Sequence, residues 1–118
     1  MQPQQYRLSP HARPFRLEVE RDTDSINIKL LGEFDLSCKR EFEAKLRDAV
    51  SRQPRRVRID LRGLTLIDST GLSMILEVES LSRRDGFDLS FRVGDGQVRR
   101  VLEQTGISGG LRLDDQPV

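Results

Sequence analysis

"RVRIDLRGLTLIDSTGLSMIL", residues 56–76, changes its hydrophobic period halfway along. Val57, Ile59 and Leu61 alternate with Arg58, Asp60 and Arg62, the two-residue period of a strand with one buried face. From Thr70 to Arg84 the apolar residues Leu72, Met74, Ile75, Leu76, Val78 and Leu81 recur at helical spacing. Between the two lie Gly63, read as a turn, a short apolar run at Leu64–Ile67, and the polar tetrapeptide Asp68-Ser69-Thr70-Gly71. The next alternating stretch is "DLSFRV" at 88–93, with Leu89, Phe91 and Val93 in phase. Strand, helix and strand in that order imply parallel pairing through a right-handed crossover.

The flanking sequence extends this unit in both directions. "FRLEVE" at 15–20 and "INIKL" at 26–30 both alternate, and "RDTDS" between them reads as a turn, so an antiparallel hairpin is expected. "SCKREFEAKLRDAV" at 37–50 puts Cys38, Phe42, Leu46, Ala49 and Val50 on one helical face, with Ser37 as its N-cap. "GQVRRVLEQTG" at 96–106 reads as a short helix capped by Asp95 and stopped at Gly106, and "GLRL" at 110–113 as a last short strand. Residues 1–14 are Gln- and Pro-rich without periodicity and read as a flexible tail; residues 15–118 form one domain.

Strands covered by helices on both faces read as continuous apolar runs, whereas these carry Lys29, Arg58, Asp60 and Arg92 on alternate positions. The expected fold is therefore α/β and singly wound. It has a mixed sheet of four to five strands, an N-terminal antiparallel hairpin, and helices mainly on one face. Arg58, Asp60 and Arg92 are expected on the opposite, wetter face.

Composition narrows the function. Twenty basic and 19 acidic residues leave a net charge of +1, which gives no electrostatic reason for a nucleic-acid or acidic-lipid partner. A single cysteine, Cys38, and a single histidine, His11, allow neither an internal disulfide nor a Cys/His metal cluster. A reducing cytoplasm is the simplest setting. No apolar run approaches the roughly 18 residues of a membrane span, and the N-terminus lacks the apolar centre of a signal peptide.

The chemistry centres on Asp68-Ser69-Thr70-Gly71. Ser69 as a nucleophile would need a base, and His11 lies in the tail; the G-x-S-x-G pattern of hydrolases is absent. Gly94-Asp95-Gly96 is too short for a phosphate loop and reads as turn plus cap. Glu33, Asp35 and Asp68 make a candidate Mg²⁺ cluster, but cap and turn roles are commoner for such residues. The expectation is a non-enzyme with no catalytic residue, metal or cofactor. The helix from Thr70 is apolar over more than half its circumference, so its excess is covered by neighbouring helices or offered to a partner, with Met74 near the exposed end. Ser69 has two readings at this point, helix cap or modification site.

With its neighbours, the 56–76 stretch resembles the signature of the STAS domain, specifically the small anti-sigma-factor antagonists of bacteria. "LLGEFDLSCKREFEAKL" looks like that family's Gly-Glu-Leu-Asp segment running into the first helix, and "VRRVLEQTGI" looks like its third helix and stop. The resemblance covers about residues 15–113. It implies a layer of helices wound on one sheet, and phosphorylation of the serine after the Asp by the partner anti-sigma factor, itself a serine kinase. Ser69 is then the phosphoacceptor, and a phosphatase would reset it. The implied partner surface comprises Glu33, Asp35, Asp68, Ser69, Thr70, Gly71, Leu72 and Met74. The dephosphorylated form would bind the anti-sigma factor and free the sigma factor. Two departures stand out: only "LRLDDQPV" follows Gly110, where members usually carry a final helix, and Gly94-Asp95-Gly96 replaces a common Ser/Pro turn. The alternative from another class is a STAS scaffold subunit of a signalling or lipid-transport complex that is never phosphorylated.

Overall fold

The computed structural model describes residues 14–114, so the tail expected at 1–14 lies outside the described residues except for Pro14. The chain runs β1 (Arg16–Arg21), β2 (Ser25–Phe34), a 3₁₀ turn (Leu36–Cys38), α1 (Lys39–Ser51), β3 (Arg56–Ile67), α2 (Ser69–Asp85), β4 (Asp88–Arg92), α3 (Gln97–Gln104) and a 3₁₀ turn (Ile107–Gly110). The sheet order is β1-β2-β3-β4, with β1 antiparallel to β2 and the other pairs parallel. Each parallel crossover steps to the adjacent strand in the same direction, so right-handed connections set α1 and α2 on one side. The "GLRL" stretch does reach the sheet edge: Phe91 donates to the Arg112 carbonyl at 2.9 Å and Asp114 to the Phe91 carbonyl at 2.7 Å.

The core lies between the helices and alternate positions of the strands. Ile26, Ile28, Leu30 and Phe34 from β2 meet Phe42, Leu46 and Ala49 from α1 and Met74, Ile75 and Val78 from α2, all buried. Phe34 anchors one end, its ring stacked on Phe15 at 5.5 Å and edge-on to Phe42 at 5.1 Å.

β3 corrects one expectation. It is a continuous strand through Gly63, with no turn there. Its pairing with β2 slips twice, between Lys29 and Leu31 and again between Gly32 and Glu33, each time inserting one extra residue in β3. Gly32 sits at the second irregularity with φ 90°, a conformation side chains resist. The two bulges turn the spacing of Leu61, Leu64 and Ile67, three apart, into one buried row with Val57 and Ile59. A strand period read strictly as two breaks at this point, which is why the sequence reads there as a turn.

The second correction concerns Asp60 and Arg92. They occupy the register positions that alternate with the core, as expected, but they are buried, 4% and 7% exposed. Arg62 folds back over Asp60, donating from its backbone N–H (3.0 Å), Nε (3.0 Å) and Nη2 (2.8 Å) to the carboxylate. The C-terminal residues pair beside β4 at the same height, and Asp114 accepts from Arg58 Nη2 at 2.7 Å. Periodicity identifies the face; it does not say what folds over it.

Burial pushes the Asp60 carboxyl up, but the Arg62 bonds and the Arg62 and Arg92 charges outweigh it, and the net shift is down. Asp60→Asn is therefore expected to cost about 1–3 kcal/mol at neutral pH, since charge-assisted hydrogen bonds are lost in a buried place. A depressed carboxyl contributes stability above its unfolded-state value and loses it as pH falls through the folded one. The difference from the unchanged chain should thus shrink below about pH 4. Urea melts of both proteins from neutral to acid pH check this.

Candidate functional site

The end of β2 and the start of α2 are built against each other. Phe34 and Glu33 stand in register with Ile67 and Leu66, and the Asp68 N–H donates to the Phe34 carbonyl at 3.3 Å. Gly71 makes the close approach feasible: a Cβ there would lie 2.6 Å from the Phe34 carbonyl oxygen and 2.7 Å from Ile67 Cγ1. The helix opening therefore rests directly on strand backbone, and the Glu33–Asp35 and Asp68–Gly71 segments form one edge of the molecule.

Within that edge the capping role falls to Asp68. Its backbone is extended, φ −107°, and its carboxylate accepts the Gly71 N–H at 2.9 Å. Ser69 is the first residue of the helix, is exposed, and no described residue hydrogen-bonds its hydroxyl. Of the two readings the sequence leaves for Ser69, the cap is the one taken instead by Asp68. Its hydroxyl stands beside the unpaired N–H groups and positive dipole end of a 17-residue helix.

Asp35 likewise caps the turn that follows β2. Its Oδ1 accepts from the Ser37 N–H at 3.0 Å and the Ser37 hydroxyl at 2.6 Å, while Cys38 Sγ accepts from the Asp35 N–H at 3.3 Å. The Cys38 thiol donates to the Glu33 carbonyl at 3.2 Å, and burial pushes that thiol's pKa up. Ser37 is therefore held by a cap and is not one, and α1 starts at Lys39 with no side-chain cap of its own. Asp95 is corrected in the same way: Gly96 precedes α3, and the Asp95 side chain is fully exposed.

The expected partner surface divides. Ser69 is exposed, Glu33, Asp35, Asp68, Thr70 and Leu72 are half-buried at the edge, and Gly71 is buried against Phe34. Met74 does not belong: it is 1% exposed, in the core with Ile75 and Val78. Helical spacing alone could not place it, because the apolar arc of α2 exceeds the stripe a sheet needs, and the residue left over on the exposed side is Leu76, not Met74. Met74→Asp would bury an unpaired carboxylate and test the fold rather than a surface.

Two large apolar residues stay exposed among the described residues. Leu76, at 44%, lines an open groove of about 1190 Å³ between α1 and α2 with Leu46, Val50, Leu81 and Phe87. Leu36, at 67%, is the tip of the turn capped by Asp35. Sequence reasoning missed Leu36, although a signal exists: its helical neighbours at +3, +4 and +7 are Lys39, Arg40 and Glu43, so it is out of phase with the Cys38–Phe42–Leu46 face.

The edge is acidic. No Lys or Arg occurs at 30–38 or 63–82, whereas Glu33, Asp35 and Asp68 are all there. The Asp35 and Asp68 carboxylates are occupied as caps, and among the described residues no group of three His, Cys, Asp or Glu side chains is placed to hold a metal. No described helix is long and apolar enough to cross a membrane. What the geometry offers is an accessible hydroxyl on a helix start, framed by carboxylates.

The family described as "Mlab, STAS domain" matches residues 17–113. A STAS-domain containing protein of Pseudomonas aeruginosa is 31% identical over 84 residues, covering 69% of this chain and 79% of that protein. An anti-sigma-B factor antagonist of Listeria monocytogenes is 33% identical over 95 residues, covering 80% and 82%. Among solved structures, an anti-sigma factor antagonist from Mycobacterium paratuberculosis superposes with a TM-score of 0.78 at 18% identity, covering 87% of each chain. The anti-sigma factor antagonist SpoIIAA in its unphosphorylated form gives 0.71 at 18% identity, covering 86% of this chain and 90% of that one. Its phosphorylated form, described as a Bacillus cell fate determinant, gives 0.66 at 17% identity, covering 86% and 93%.

Proposed function

The chain belongs to the STAS domain family, and from that premise we propose that it is an anti-sigma factor antagonist whose binding is switched off by phosphorylation of Ser69. Unmodified, it binds a cognate anti-sigma factor through the β2–α2 edge and so releases a sigma factor; the anti-sigma factor is also the serine kinase, and a phosphatase restores binding. The observation that carries the reading is the position of Ser69. It is exposed at the first residue of α2, while the cap is made by Asp68. The hydroxyl is thus free to be modified without dismantling the helix start. Antagonists among the relatives add support, and SpoIIAA, solved in both phosphorylated and unphosphorylated forms, shares this fold in each.

A phosphate at Ser69 meets two opposing fields. The helix N-terminus favours an anion, and Asp68 and the neighbouring carboxylates disfavour it. Since the group is exposed, both are screened by solvent, and the fold can carry the modification. A partner covering the edge cannot ignore it, because it would have to strip water from about −1.5 to −2 charges.

The test is to incubate the full chain with ATP and each candidate anti-sigma kinase, then measure intact mass. The gain of one phosphate, lost in Ser69→Ala and kept in Thr70→Ala, is the expected outcome. No phosphate from any such kinase favours the scaffold reading, in which the same edge binds a partner without being modified.

A further inference from the structure

Resting on the function just proposed, we propose that Leu36 is the apolar anchor of the partner-binding edge. It enters a hydrophobic socket on the anti-sigma factor, and basic side chains of that partner face Glu33, Asp35 and Asp68 on the Ser69 side of the socket.

Three observations lead there. Leu36 is 67% exposed, the more exposed of the two large apolar residues left outside the core among the described residues. Isolated exposed leucines are ordinary, but this one is held in place. Asp35 takes two hydrogen bonds from Ser37, Cys38 takes one from Asp35, and the Cys38 thiol ties the turn back to Glu33. A side chain on a turn fixed at four points loses little backbone freedom on binding, which is the condition for an efficient anchor. Its place is the third point: Asp35 directly follows Phe34, whose carbonyl accepts the Asp68 N–H one residue before Ser69. A partner able to read Ser69 therefore lies over Leu36 as well.

The chemistry of the partner follows from the surroundings. On the Ser69 side of Leu36 the edge holds Glu33, Asp35 and Asp68 and lacks Lys or Arg at 30–38 and 63–82, whereas the exposed Lys39 and Arg40 follow Leu36 on the α1 side. A complementary face has an apolar centre and is basic on the side that meets Ser69. Such a face also explains why Met74 is not needed: the anchor is supplied by the turn after β2, and α2 supplies the hydroxyl.

The experiment titrates unphosphorylated full chain, Leu36→Ala, Leu36→Met and Leu76→Ala against the anti-sigma factor kinase that modifies Ser69. Melting curves of all four proteins are recorded alongside. Removing a buried leucine side chain from an interface is expected to weaken binding between about tenfold and a hundredfold. Leu36→Met should retain binding within about threefold because it keeps the volume and apolar character. All four proteins should melt alike, since neither leucine is in the core, and Leu76→Ala should bind as the unchanged chain does. A loss smaller than tenfold for Leu36→Ala, or an equal loss for Leu76→Ala, overturns the anchor while leaving the function standing. A chain that binds no anti-sigma factor overturns the function, and the anchor with it.

Discussion

Phosphorylated on Ser69, the chain is expected to bind its proposed anti-sigma factor at least a hundredfold more weakly than the unmodified chain and to melt within about 5 °C of it. The two halves of that result have separate causes. Binding falls because the partner must cover a multiply charged group on an edge that already carries Glu33, Asp35 and Asp68. An unpaired charge buried in an interface costs several kcal/mol, and about 3 kcal/mol is already more than a hundredfold in affinity. Stability barely moves because the phosphate stays in solvent at a helix start. There the dipole contributes roughly 0.3–1 kcal/mol in its favour, against repulsion from Asp68 that water screens. Ser69→Ala should bind constitutively, and Ser69→Asp should bind weakly but better than the phosphoprotein, since a carboxylate is smaller and singly charged. Calorimetric titration of the phosphorylated and unmodified chains decides the matter; equal affinities would leave Ser69 with no switching role.

Gly71→Ala is the substitution expected to damage the site from beneath. The added methyl would stand 2.6 Å from the Phe34 carbonyl oxygen and 2.7 Å from Ile67 Cγ1. The first of these atoms is backbone, already engaged by the Asp68 N–H, so neither can swing aside as a surface side chain would. Overpacking of this kind costs up to about 3 kcal/mol, and the better helix propensity of alanine returns about 1. The net loss of about 2 kcal/mol corresponds to a melting temperature lower by on the order of 10 °C. The helix start must also lift from β2, so binding to the anti-sigma factor should fall even where the protein remains folded. A variant that melts with the parent and binds normally would mean that the close approach relaxes at little cost.

Most of the architecture was legible because it is written in periods. The alternation of Ile26, Ile28 and Leu30, and of Val57, Ile59 and Leu61, gave strands with one buried face, and the helical spacing of Phe42, Leu46 and Ala49 gave α1. What was illegible depends on contacts between distant segments. Asp60 and Arg92 look like surface residues until Arg62 and the C-terminal pairing close over them. Met74 looks available until the core is assembled and Leu76 proves to be the α2 residue left outside it. The capping residues were misplaced by one or two positions at Ser37 and Asp95, because Asp, Ser and Gly compete for such roles with similar energies. At Asp68-Ser69 the same ambiguity bears on the proposed switch, and only the hydrogen bond from the Gly71 N–H to Asp68 decides which residue is occupied as the cap.

The two bulges in β3 also act as the wards of a key. An evenly alternating strand slid by two residues past its neighbour would exchange one aliphatic side chain for another and lose little. The buried row here runs Val57, Ile59, Leu61, Leu64, Ile67, with gaps of two, two, three and three. Slid forward by two against fixed slots, it would offer Gly63 and Ser69 to the core; slid back by two, it would offer Arg55, Arg62 and Thr65. Each misplaced aliphatic forfeits roughly 1.5–3 kcal/mol, and each buried arginine costs more. Only one alignment turns. A slip of two residues would carry the end of β3 by about 7 Å, far enough to part Ser69 from Leu36, so the uneven spacing gauges the height at which the two would meet the proposed partner.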